Sequence, residues 1–86
     1  MKFYYKATFK IYRAGNKKAM PETMNVFVTA KNTADAYHNA QKVKNELKGI
    51  NPDDKVICTR KDIVCRTKPN ALAEISTGVP LYDCSE

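Results

Sequence analysis

With 86 residues, the chain is too short to divide into two independent cores, so it predicts a single domain with room for one sheet and one or two helices. Its 15 basic and 9 acidic residues leave a formal +6, a sign that favours an anionic partner or an acidic protein patch. No run approaches bilayer length, and three cysteines, an odd number, follow an N-terminus that enters a strand without an apolar leader; the expectation is a reducing, cytoplasmic setting with no membrane partner.

Lys2 to Tyr12 alternates with the period of 2 that a pleated strand imposes. Phe3, Tyr5, Ala7, Phe9 and Ile11 share one side, which suits a core. Lys2, Tyr4, Lys6, Thr8, Lys10 and Tyr12 share the other, where cations interleave with aromatic rings. Residues 1–20 contain Lys2, Lys6, Lys10, Arg13, Lys17 and Lys18 and no acid, so the charge is concentrated on part of the surface.

Arg13 to Glu22 carries Gly15, Asn16 and Pro21, turn formers that predict a long basic hairpin tip. Thr23 to Lys31 resumes the alternation as a second, antiparallel strand, with Met24, Val26, Val28 and Ala30 on one side and Asn25, Phe27, Thr29 and Lys31 on the other. Asn32 or Thr33 then caps a helix with Asp35 in its first turn, where a carboxylate meets unpaired amides. Ala36, Ala40, Val43 and Leu47 form its apolar stripe, flanked by Tyr37; Asp35, Asn39, Lys42 and Glu46 line the polar side, and Lys48 and Gly49 supply the end.

After a loop at Asn51 to Asp54, Lys55 to Thr59 reads as a third strand, and Lys61 to Thr67 is again strand-like. Arg60, Lys61 and Asp62 make either a tight turn between paired strands or a bulge in one long strand, and the hairpin is the favoured reading. From Pro69 the pattern weakens. Asn70 can cap a single helical turn, and residues 69–86, acidic through Glu74, Asp83 and Glu86, are expected to pack as an irregular C-terminal arm or short edge strand.

The element order predicts an α+β fold of two layers: an antiparallel-rich sheet of three or four strands (ββαβ or ββαββ) with one helix on one face. A right-handed crossover puts the first strand between the second and third, leaving its Lys/Tyr side open at the middle of the sheet. The expected core is Phe3, Tyr5, Phe9, Ile11, Met24, Val26, Val28, Ala36, Ala40, Val43, Leu47 and Val56. So short a list favours a homodimer or a partner-stabilised assembly.

Tyr4, Lys6, Lys10 and Tyr12, extended by Arg13, Lys17 and Lys18, have the chemistry that meets RNA on a sheet face: rings stack on bases and ammonium groups pair with phosphates. The same tyrosines also suit burial under a second layer, the C-terminal segment or another subunit. A second cluster, Lys55, Arg60, Lys61, Arg66 and Lys68, continues that track or lines an ordinary solvated edge; its guanidinium groups can both stack and bridge phosphate oxygens. His38, Cys58, Cys65 and Cys84 lack the close spacing of a zinc site, and no base, nucleophile or phosphate loop accompanies them. The sequence therefore predicts no metal, no cofactor and no enzyme. Cys58, and Cys65 with it, reads as a small buried hydrophobe.

The segments MKFYYKATFKIYR, VFVTAKNTADAYHNAQKVKNELKG and VICTRKDIVCR together resemble the small early proteins of T-even phages that inhibit bacterial toxins, the group of the ToxN inhibitory factor. The resemblance spans about residues 1–67 in element order. It implies a phage-encoded anti-defence protein, acting in the host cytoplasm, that blocks an endoribonuclease toxin with help from bound RNA; it transfers no functional residue. An RNA-independent inhibitor docking on an acidic protein surface is the alternative.

Overall fold

The computed structural model describes residues 2–15, 20–50 and 52–83. It is an α+β fold whose elements run β1 (Phe3–Tyr12), β2 (Glu22–Ala30), α1 (Thr33–Ile50), β3 (Lys55–Ile57), a 3-10 turn (Arg60–Asp62), β4 (Ile63–Arg66), α2 (Lys68–Ser76) and β5 (Leu81–Tyr82). Beta1 is central, as the right-handed crossover predicts: it pairs antiparallel with β2 on one edge and with both β3 and β4 on the other, while β5 adds to β2 in parallel.

The shared edge resolves the hairpin question against the favoured reading. Ile57 lies opposite Lys10 and Ile63 opposite Ala7, so residues 58–62 face only Thr8 and Phe9 on β1. The chain from Lys55 to Arg66 is thus one strand line interrupted by a bulge, and β3 and β4 do not pair with each other. The cause is local: the Asp62 carboxylate accepts from the Thr59 amide at 2.9 Å and from its hydroxyl at 3.0 Å, while the Asp62 amide donates to the Thr59 carbonyl at 3.0 Å. These reciprocal bonds close a 3-10 turn and absorb the surplus residues.

Alpha1 packs on the odd-numbered side of β1. Tyr5, Ala7, Phe9, Ile11, Val26, Val28, Ala36, Ala40, Val43, Val56, Cys58 and Ile63 form one buried cluster. The helix is capped by Asn32, whose side-chain oxygen accepts from the Asp35 amide at 2.8 Å, and Asp35 reaches back to the Lys31 amide at 3.3 Å. It continues through Gly49 to Ile50, past the end expected at Lys48 and Gly49. Two assignments change. Asn39, expected on the polar side, is buried, because it stands three residues from Ala36 and four from Val43 and so falls on the edge of their stripe. Phe3, expected in the core, is 41% exposed at the first position of β1.

The largest departure is at the C-terminus. Where a single helical turn was expected near Asn70 there is a nine-residue helix from Lys68, and the short edge strand given as the alternative to an irregular arm is β5. Thr67 stands at the N-cap with Pro69 in the first turn, where a missing amide costs nothing, and Gly78, at φ +111°, ends the helix in a left-handed conformation that disfavours a side chain. Alpha2 lies over the even-numbered side of the sheet, opposite α1, and adds a third layer: Ala71 and the sheet residue Phe27 are both fully buried outside the main cluster.

Candidate nucleic-acid interface

Alpha2 divides the Lys/Tyr side of β1 into two halves. In the first, Tyr4 is half-buried, and the Lys6 ammonium lies 2.6 Å from Glu74 Oε1 on α2, with 20% of the Lys6 side chain exposed. The expectation of an open face fails for these two residues, because they support the C-terminal layer. In the second half, Thr8, Lys10 and Tyr12 run beyond the helix. Lys10 sits between Thr23 on β2 and Ile57 on β3, and Tyr12 lies opposite Lys55. Lys10, Lys55 and Thr23 are exposed, Tyr12 is 41% exposed, and Ile57 is half-buried. Thr8 is tied to its cross-strand neighbour Asn25, its hydroxyl 2.8 Å from Asn25 Oδ1. Two ammonium groups therefore flank a tyrosine ring on a rigid three-stranded platform.

Arg13, expected to extend this face, is committed elsewhere. Its guanidinium bonds to Glu22 and, at 2.8 Å, to Asp54, and the two carboxylates, Glu22 first, push its pKa further up. Asp54 in turn accepts from the Ala14 amide at 2.9 Å. That bond, reinforced by Arg13, holds the Asp54 carboxyl below the usual range. These contacts pin the start of the β1–β2 connection to the approach to β3. Lys17 and Lys18 lie outside the described residues.

The second basic cluster follows the outer edge of the sheet. Lys55 is on β3, Arg60 and Lys61 are in the 3-10 turn, Arg66 ends β4 opposite Tyr4, and Lys68 opens α2. The eight residue steps along β1 from Tyr4 to Tyr12 give this line a length of about 26 Å. All five cations are exposed, and none makes an ion pair among the described residues. The one acid in the stretch, Asp62, is turned inward on Thr59. Arg60 is preorganised by Tyr37 of α1, its guanidinium carbon 5.3 Å from the ring centre. The open half-face and this edge meet at Lys55.

The cysteines diverge. Cys58 is buried in the main cluster, and burial, with a smaller push from Asp62 opposed by Lys44, raises its thiol to about 11. Cys65, expected to be buried as well, is exposed on the edge strand β4. Cys84 is outside the described residues.

Comparison with known proteins gave no match: no protein family, no curated protein and no solved structure corresponds to this chain.

Phe27 alternates along β2 with Asn25, Thr29 and Lys31, and an apolar ring on that polar side is the sequence signal for a second helical layer. Thr67 and Pro69 carried the matching start signal. The pairing of Tyr12 with Lys55 had no such signal, since it depends on how far the bulge shifts the register.

Proposed function

We propose that this is a small basic RNA-binding protein that acts as a phage anti-defence factor, inhibiting an endoribonuclease toxin with help from bound RNA. The observation that carries the RNA half is the junction at Lys55 of an open Lys10–Tyr12 half-face with an edge of cations that no acid neutralises. Tyr12 offers a ring on which any base can stack, Lys10 and Lys55 flank it as phosphate partners, and Arg60, Lys61, Arg66 and Lys68 continue the contact along the edge. The toxin half rests on the resemblance of residues 1–67 to the phage inhibitors.

The test is a titration of fluorescein-labelled single-stranded RNA at several salt concentrations, with wild type and a Lys10→Glu/Lys55→Glu variant. Affinity should fall steeply with salt, by a logarithmic slope of about 0.7 per phosphate contact, and the folded double variant should lose binding. Affinity unchanged by salt, or by the double substitution, overturns the reading.

One observation favours the second reading. The β3–β4 line is an outer sheet edge, flanked by cations, on which an acidic protein surface can dock without RNA. A salt-resistant complex with a purified toxin, with no nucleic acid co-purifying, selects it.

A further inference from the structure

We propose that the RNA site continues beneath α2, and that Glu74 occupies on Lys6 the position of an RNA phosphate. This rests on the RNA-binding reading and adds to it a second, covered half of the same site.

Tyr4, Lys6 and Phe27 share the side of the sheet that carries Lys10 and Tyr12, since Lys6 lies opposite Phe27 and alternates with Thr8 and Lys10 along β1. Two rings and an ammonium group therefore extend the open half-face along β1 and onto its neighbour β2. What covers them is a short helix and a two-residue strand, with Tyr82 packed against the main cluster and Asp83 4.0 Å from the Lys2 ammonium. Alpha2 buries one residue, Ala71, and β5 contributes only Leu81 and Tyr82, paired with Phe27 and Val28. The main chain adds a bond from the Phe27 amide to the Pro80 carbonyl at 2.8 Å, and Thr29 bonds to Asp83 at 2.9 Å.

The polar latch between α2 and β1 is the Lys6–Glu74 pair at 2.6 Å. It matches an ammonium with an oxyanion, the same chemistry a phosphate would offer. Opening this segment re-exposes Phe27 and Ala71, both fully buried, so it needs the compensation that RNA contacts to Lys6, Tyr4 and Phe27 supply. RNA anchored on Lys10, Tyr12 and Lys55 would bring its next phosphate to Lys6 at high local concentration. It would then displace Glu74, and the opening of residues 68–83 would offer Tyr4 and Phe27 to successive bases.

The experiment compares a short labelled oligouridylate binding to wild type, Glu74→Gln, Lys6→Gln and Glu46→Gln. The last makes the same charge change on the exposed side of α1. Glu74→Gln should bind about fivefold tighter, the scale of one surface-accessible ion pair released, with Glu46→Gln changing affinity far less. Lys6→Gln should have a salt slope shallower than wild type by about 0.7, one phosphate contact fewer. In parallel, amide exchange in residues 68–83 of the wild-type protein should speed up when the oligonucleotide is added.

Equal affinities for Glu74→Gln and Glu46→Gln, or exchange in 68–83 that is unchanged or slowed by RNA, overturn the covered site. If Lys10→Glu/Lys55→Glu still abolishes binding in that case, the open half-face stands without it. Absence of any wild-type binding to the oligonucleotide overturns both.

Discussion

The side-chain amide of Asn39 on α1 donates to the backbone carbonyl of Thr29 on β2 at 2.9 Å, and both residues are buried. The bond fastens the first turns of the helix to the end of the strand that precedes it, and it satisfies two polar groups that would otherwise be out of reach of water. Asn39→Ala should destabilise the fold by about 1 kcal/mol, the net worth of one buried hydrogen bond, measured as a lowered urea midpoint with an unchanged slope.

Phe9 is fully buried under α1, at the point where the opposite strand line bulges. Phe9→Ala should cost about 3–5 kcal/mol, because rigid neighbours on β1 and α1 cannot collapse into the space. A loss below about 1 kcal/mol in chemical denaturation would contradict the packing described.

Lys6 and Lys10 are two strand repeats apart on the same side, yet they should respond differently to charge reversal. Lys6→Glu sets a carboxylate against Glu74 and should lower stability by about 1 kcal/mol, whereas Lys10→Glu, exposed and without an ion pair, should change it by less than about 0.5 kcal/mol. Thermal melts of the two variants at low salt make the comparison.

Asp54 ties pH to stability. Its folded-state pKa is lowered, chiefly by the Ala14 amide and then by Arg13, so the ionised carboxylate stabilises the fold fully above the unfolded value of 3.8 and ceases to do so as pH falls through the lower folded value. The difference in melting temperature between wild type and Asp54→Asn should be constant from neutral pH down to about 5 and shrink below about 4. A difference that grows in acid would give the opposite sign.

The thiols should separate by reactivity. At mildly alkaline pH, iodoacetamide should modify Cys65 in the native protein and spare Cys58, which is buried and holds its proton to about 11. Peptide mass spectrometry with and without denaturant reads the two sites, and rapid native labelling of Cys58 would contradict its burial.

The buried side of β1 and the capping of α1 near Asn32 follow from local pattern, and the central position of β1 follows from the handedness of the crossover through α1. Period-2 and period-3.6 spacing report which side of an element faces apolar neighbours, and Ala36, Ala40 and Val43 leave the helix no other side to bury. The basic residues of both candidate surfaces were likewise legible as charge. Their grouping was not, because it depends on contacts between residues far apart in the chain. Whether Lys6 is a ligand-facing cation or the partner of Glu74 is decided 68 residues away, by a helix that buries a single alanine and so carries almost no periodic signal. Tyr12 meets Lys55 only because Thr59 and Asp62 close a turn that takes up surplus residues in the partner strand. Local spacing determined which side chains share a face of each element; tertiary packing alone decided which of those faces stays open, since covering one depends on the free energy of docking a remote segment.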